Sequence, residues 1–128
     1  MGLGLQLLVM TGPEVLGVSE FSSYDLLQLY DDYRIYGQLR DMTKDDRGID
    51  ALPHIVPQIL PPQLEIGIWE DEGYRLTRFD ADGEELTFVY ARQLKELKLQ
   101  PDTHWRNKAI KAYVDALPDE VPIVLFWR

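Results

Sequence analysis

Apolar residues recur along this chain with two different periods. Leu3, Leu5, Leu7 and Val9 alternate with Gly2, Gly4, Gln6 and Leu8, the period of two that gives a strand one apolar face. The period returns between Leu64 and Tyr90 in three short runs: Leu64 to Trp69, Tyr74 to Phe79 and Leu86 to Tyr90. Acidic, glycine-containing turns at Asp71-Glu72-Gly73 and Asp80-Ala81-Asp82-Gly83 separate them, which predicts a central antiparallel meander. Val121 to Trp127 is almost continuously apolar, as in a strand buried on both faces, and Pro122 limits pairing only at its start.

The helical period appears in three places. With Ser22 as N-cap, Asp25 reaches back to the cap amide and Phe21 meets Leu26 as a hydrophobic staple. This predicts a helix from there to Tyr36, ending near Gly37, with Leu26, Leu27, Tyr30 and Tyr33 buried. Ala91 to Leu97 reads as a short helix. A longer one runs from Trp105 to Leu117, capped by Asp102 or Thr103 and stopped by Pro118. Its apolar face comprises Trp105, Ala109, Ile110, Ala112, Tyr113, Ala116 and Leu117.

Thr11 to Glu20, with Gly12-Pro13 and Gly17, reads as a loop. In the stretch 41–63, Pro53, Pro57, Pro61 and Pro62 rule out a long helix or a central strand. Ile55, Val56, Ile59 and Leu60 nonetheless hold that segment on the body of the protein. The expectation is one α+β domain over residues 1–128: a mixed sheet of about five strands, a central antiparallel meander and helices mainly on one face. Both terminal strands should join the meander's sheet. The return from Tyr90 through two helices to the last strand reads as a crossover, which predicts a parallel neighbour.

Pairing Ile68 with Leu76, and Leu76 with Leu86, places Leu64, Ile66, Ile68, Tyr74, Leu76, Leu86, Phe88 and Tyr90 on the core face. The opposite face then carries Glu65, Trp69, Arg75, Phe79, Glu85 and Val89. Trp69 stands across from Arg75 at cation–π reach, and Arg78 across from Glu84.

Composition removes several functions. There is no cysteine, hence no disulfide framework, no thiolate metal site and no cysteine nucleophile, which fits a reducing cytoplasm. The N-terminal apolar run is too short to span a bilayer and lacks a basic flank, and Gln6 breaks a myristoylation motif, so no membrane association is expected. Net charge is −9, with 17 acids against 6 bases in residues 1–91 and 5 against 7 in 92–128. Binding nucleic acid by phosphate neutralisation needs clustered Lys and Arg, and is not expected here.

Chemistry-bearing motifs are few. His54 and His104 are the only histidines, and neither has a neighbouring serine or a metal-ligand spacing. Gly12 and Gly17 lack the spacing of a phosphate loop. Asp80 to Glu85 has its glycine at the fourth position where a calcium loop needs it at the sixth, so a hairpin turn explains it better. No catalytic residue, metal or cofactor is assigned.

The first functional expectation is a non-enzymatic protein-binding module of inhibitor, immunity-type or adaptor kind. Its contact surface would be Trp69, Arg75, Phe79 and Val89, because monomers seldom expose large apolar patches without reason. Either the proline-rich segment covers that face or another molecule does, a second copy forming a homodimer included. An alternative is a small enzyme or ligand-binding domain using Tyr30, Tyr33, Tyr36 and His54. A third is a nucleic-acid mimic that occupies a basic groove.

Overall fold

The computed structural model describes residues 3–11, 24–43, 52–62 and 64–128. Their elements in chain order are β1 (Leu5–Met10), β2 (Tyr24–Gln28), α1 (Tyr33–Tyr36), β3 (Gln58–Ile59), β4 (Ile66–Glu70), β5 (Gly73–Thr77), β6 (Thr87–Tyr90), α2 (Ala91–Leu94), α3 (Trp105–Asp115) and β7 (Pro122–Trp127). Five strands form an antiparallel sheet in the order β2-β1-β7-β6-β3, and β4 and β5 form a separate two-stranded sheet. This is a small α+β domain, mostly sheet.

The apolar run Pro122–Trp127 takes the middle of the large sheet, and each of its residues is buried. Alternation along the strands divides the core in two. Leu5, Leu7, Val9, Val89, Ile123, Leu125 and Trp127 pack with Ile35, Tyr36 and Leu39, and with Leu94 and Val114 of α2 and α3. Leu8, Met10, Phe88, Val124 and Phe126 pack on the other side against Leu60, Leu64, Ile66, Ile68 and Leu86. The result is three layers: helices, five-stranded sheet, two-stranded hairpin. Full burial of one such aliphatic side chain contributes roughly 1.5–3 kcal/mol, so the strand buried on both faces holds the layers together.

Several sequence expectations are corrected. The helix expected up to Tyr36 is mostly strand: Tyr24 to Gln28 pair antiparallel with Met10 to Gln6. A single turn of helix remains at Tyr33–Tyr36, where Asp32 is the cap and its Oδ1 accepts from the Arg34 amide at 2.9 Å. The proposed Ser22 cap lies outside the described residues, as does the stretch 12–20. Helical spacing at Leu26, Leu27, Tyr30 and Tyr33 was a local preference, and the hydrogen-bonding edge of β1 overrides it.

The expected parallel neighbour for the last strand is also replaced, since β7 is antiparallel to both β1 and β6. The chain between β6 and β7 is not a crossover. The Ala91 amide donates to Val121 O at 2.8 Å and the Arg92 amide to Asp119 O at 3.1 Å, which close the helical excursion at its base.

The meander divides between two sheets. β4 and β5 pair as expected, but β6 belongs to the large sheet, and only the isolated bridge Phe79↔Glu85 continues the pairing. The turn of β4–β5 has two residues, Asp71 and Glu72, so Glu70 faces Gly73 and Ile68 faces Arg75. Gly73 takes φ 114°, a conformation that costs glycine nothing. This register is one residue from the expected one, so Tyr74 and Leu76 leave the core face.

In α3 the cap is His104, whose Nδ1 accepts from the Arg106 amide at 3.1 Å, rather than Asp102 or Thr103. Its buried residues are Asn107 and Val114, while Trp105 is 70% exposed. A polar residue holds the inward stripe: the Asn107 carboxamide accepts from the Tyr30 amide at 2.9 Å and donates to the Tyr30 carbonyl at 2.7 Å. The described part of the proline-rich segment lies on the body through two of the four apolar residues expected to hold it, Val56 and Ile59 being exposed instead. Ile55 and Leu60 are buried, and the Arg78 guanidinium donates to the carbonyls of Leu60, Pro61 and Leu64.

Candidate functional site

The β4–β5 hairpin has two unlike faces because its side chains alternate. Ile66, Ile68 and Thr77 point inward and are buried. Trp69 and Tyr74 are directly paired on the outer face, their ring centroids 5.1 Å apart, and Leu76 stands opposite Gly67 beside them. Trp69 is 77% exposed, Tyr74 47% and Leu76 43%. The described part of the proline-rich segment puts Leu60 into the core beneath the hairpin.

The expected contact residues separate. Trp69 is on this outer face, and Phe79, just beyond β5, is 49% exposed. Arg75 faces Ile68 instead of Trp69, and makes a two-pronged ion pair with Glu70 at 3.0 and 2.9 Å. That guanidinium holds the Glu70 carboxyl below its usual range, and Glu70 raises Arg75 in return. Val89 is wholly buried in the helix-side core and cannot touch a partner. Extending one face through all three runs puts it on the surface, but β6 belongs to the other sheet. Arg78 meets Glu85 at 3.7 Å rather than Glu84. The Tyr24 hydroxyl donates to the Gly67 carbonyl and ties β2 to the hairpin. Partial burial, and secondarily Tyr74, pushes that phenol up.

The tyrosines and His54 do not form one pocket. Tyr36 is buried, donates to Asp31 Oδ1 at 2.9 Å and meets the rings of Tyr33 and Trp127 edge-on. The Tyr33 hydroxyl accepts from the Leu3 amide at 3.0 Å. Tyr30 stacks flat on His104, centroids 4.0 Å apart. An open groove of about 490 Å³ runs along Tyr30, Asp31, Asp32, Tyr33, Arg34, Asp102 and His104, with Arg34 bonded to Asp102 at 2.9 Å. His54 is not among its walls; it is exposed, its Nε2 3.5 Å from the Glu96 carbonyl.

A second open groove, of about 430 Å³, was not anticipated. Its walls include Leu39, Arg40, Pro57, Ile59, Asp80, Glu84, Glu85 and Trp127. Asp80 opens the turn that places Gly83 at φ 84°. Asp80 Oδ1 accepts from the amides of Asp82 at 2.9 Å and Glu84 at 3.1 Å, so the turn is built on its carboxylate. The aspartate-glycine signal for a turn was legible in the sequence; the arrival of Trp127 and Ile59 beside it depends on sheet order. Among the described residues no group of three or more His, Asp or Glu is arranged to hold a metal ion, and no helix is long and apolar enough to cross a membrane.

Comparison of the chain with protein-family models, with curated proteins and with solved structures finds no match.

Proposed function

We propose that this protein is a non-enzymatic protein-binding module whose contact surface is the outer face of the β4–β5 hairpin. The observation that carries this reading is the pairing of Trp69, 77% exposed, with Tyr74 on a face that core packing does not need. Aromatic side chains bring large contact area at low conformational cost, and they concentrate at the centres of interfaces. Glu70, Asp71 and Glu72 crowd the hairpin tip beside the patch. A second copy would set like charges against one another. A partner with an apolar pocket rimmed by Lys and Arg would be steered to the site. The protein acts in the cytoplasm on this reading, a compartment that suits a cysteine-free chain.

The test compares Trp69→Ala with Trp105→Ala, a variant of the other highly exposed tryptophan. Proteins retained from native extract are compared among parent and variants, and the retained partner is then measured by calorimetry. Loss of an interface-centre tryptophan should weaken association by about 2 kcal/mol or more while leaving the melting midpoint near the parent's. Trp105→Ala should bind like the parent. Retention unchanged in Trp69→Ala, or lost equally in both variants, refutes the site. Sedimentation of the parent as a dimer that Trp69→Ala dissolves would replace the basic partner with a second copy.

A further inference from the structure

The large sheet ends at β2, and among the described residues no strand pairs with its outer edge. The Leu29 amide donates to Leu5 O at 3.2 Å, so by alternation Asp25 and Leu27 turn their backbone groups to β1, while Tyr24, Leu26 and Gln28 turn theirs outward. Further along the same edge, the outward groups of Tyr30 are both taken by the Asn107 carboxamide of α3. The edge is closed there and open at Tyr24, Leu26 and Gln28. It lacks the usual guards against pairing, having no proline, no lysine and an unbroken register with β1. Its one charge, Asp25, lies on the helix side and accepts from the Tyr113 hydroxyl at 2.6 Å. Leu26 is 53% exposed.

Helix α3 lies along this edge. Its bonds from Asn107 to Tyr30 and from Tyr113 to Asp25 set it antiparallel to β2, and at the middle Ile110 and Leu27 both pack against the helix-side core. Asn107 and Val114 point into the protein, so Trp105, Ala109, Ala112 and Ala116 form the opposite, exposed ridge. Arg106 and Tyr113 flank the ridge on one side, Lys108 and Asp115 on the other, all of them exposed.

We infer that this edge and this ridge together join two copies of the chain about a twofold axis. Centred on Leu26, the strand is its own antiparallel partner: Leu26 exchanges both backbone hydrogen bonds with Leu26 of the second copy, and Tyr24 with Gln28. The two five-stranded sheets then become one continuous sheet. The same axis lays the two α3 helices antiparallel, Ala109 against Ala112 of the second copy and Trp105 against Ala116. Charge complementarity favours a second copy over another strand. Lys108 meets Asp115 of the second copy, extending the 2.8 Å pair that Asp115 makes with Lys111 of its own helix. Arg106 meets the ring of Tyr113, and no like charges face each other on either flank. Asp25 stands opposite Leu27 rather than opposite itself. A short strand edge, or one helix of 11 residues, is small for a stable dimer, and the twofold engages both at once. The β4–β5 hairpin is on the other side of the sheet, so its outer face stays free and either surface can fail alone.

Sedimentation of the full chain over a range of concentrations, with amide hydrogen exchange read at each, tests the dimer. The parent should sediment as a dimer, and the amides of Tyr24, Leu26 and Gln28 should gain protection as concentration rises. Leu26→Lys sets like charges against each other on the axis and should raise the dissociation constant about tenfold or more, with a melting midpoint in dilute solution near the parent's. Lys108→Asp should weaken the dimer several-fold, and adding Asp115→Lys to it should restore the dimer by exchanging the charges. A parent that stays monomeric up to about 1 mM would overturn the inference. So would a dimer that Leu26→Lys leaves intact, one that Trp69→Ala dissolves, or protection of the three amides that does not change with concentration. A double variant no tighter than Lys108→Asp alone would overturn the antiparallel helix pairing.

Discussion

Arg78 offers the sharpest test of how the proline-rich segment is held. Its side chain is 20% exposed and donates to three carbonyls, with Leu64 O at 2.8 Å, Leu60 O at 3.2 Å and Pro61 O sharing the same guanidinium nitrogen as Leu64. Each hydrogen bond from a charged donor contributes roughly 1.5–3 kcal/mol net, and its loss leaves a partly desolvated carbonyl. Three such bonds do not add fully, because the carbonyls of Pro61 and Leu64 can turn to water once released. A cost of about 3 kcal/mol for Arg78→Ala follows, the equivalent of one to two complete bonds. The ion pair with Glu85 should contribute little, at 3.7 Å with Glu85 half exposed, and Glu85→Gln is expected to cost less than about 0.5 kcal/mol. Arg78→Lys keeps the charge but loses the fork, and should recover only about half of the loss. Urea melts of the three variants decide the matter, since a slope near 1.5 kcal/mol per molar converts 3 kcal/mol into a midpoint shift of about 2 M. If Arg78→Ala shifts the midpoint no more than Glu85→Gln does, or if lysine restores it fully, Arg78 is an ordinary surface charge and the clamp does not exist.

Two further outcomes follow from buried polar groups. Asn107→Leu keeps the volume near α3 but removes both bonds to the Tyr30 backbone, and should cost about 2–3 kcal/mol in a denaturant melt; Asn107→Asp, which keeps the acceptor alone, should fall between it and the parent. A parent-like midpoint for Asn107→Leu would show that Tyr30 is held by its stack on His104 instead. Burial, and then the hydrogen bond to Asp31, raises the Tyr36 phenol above its ordinary value. The sign is that of a folded state favouring the protonated form: the contribution is full below about pH 10, the unfolded value, and is lost as pH rises further. Stability measured against alkaline pH should therefore decline less steeply in Tyr36→Phe than in the parent, and superimposable profiles would refute the assignment.

The elements that were legible before the structure are those whose information is local. The strand at Pro122–Trp127 is nearly all apolar, and the Asp80–Gly83 turn carries its own chemistry in the Asp80 carboxylate. What was misread depends on contacts distant in sequence. Tyr24 to Gln28 has a helix-like spacing, and only the edge of β1 makes it a strand. The hairpin register turned on whether Gly73 ends the turn or begins β5, a difference of one residue that moved Tyr74 and Leu76 outward. The buried stripe of α3 was displaced because Asn107, a polar residue, takes one of its two fully buried positions. For the candidate site, Trp69 was identifiable as one of three large apolar residues, with Phe79 and Val89, on an otherwise polar face. Its neighbours Tyr74 and Leu76 were not, since they follow from the register. The Asp80 groove joins residues from four separate stretches and has no linear signature.

The position of β7 has a kinetic consequence. It is last in sequence order among the described elements, yet it lies between β1 and β6. Until it inserts, β1 and β6 each present an open row of backbone donors and acceptors, and neither core can close. Pairings that join such distant parts of a chain are slow to form, because the intervening loop must be ordered before any contact rewards it. During synthesis the two halves would wait with strand edges bare, the state in which chains most readily join one another. A binding partner for exposed strands, such as a chaperone, should therefore be needed more during this protein's production than after it has folded.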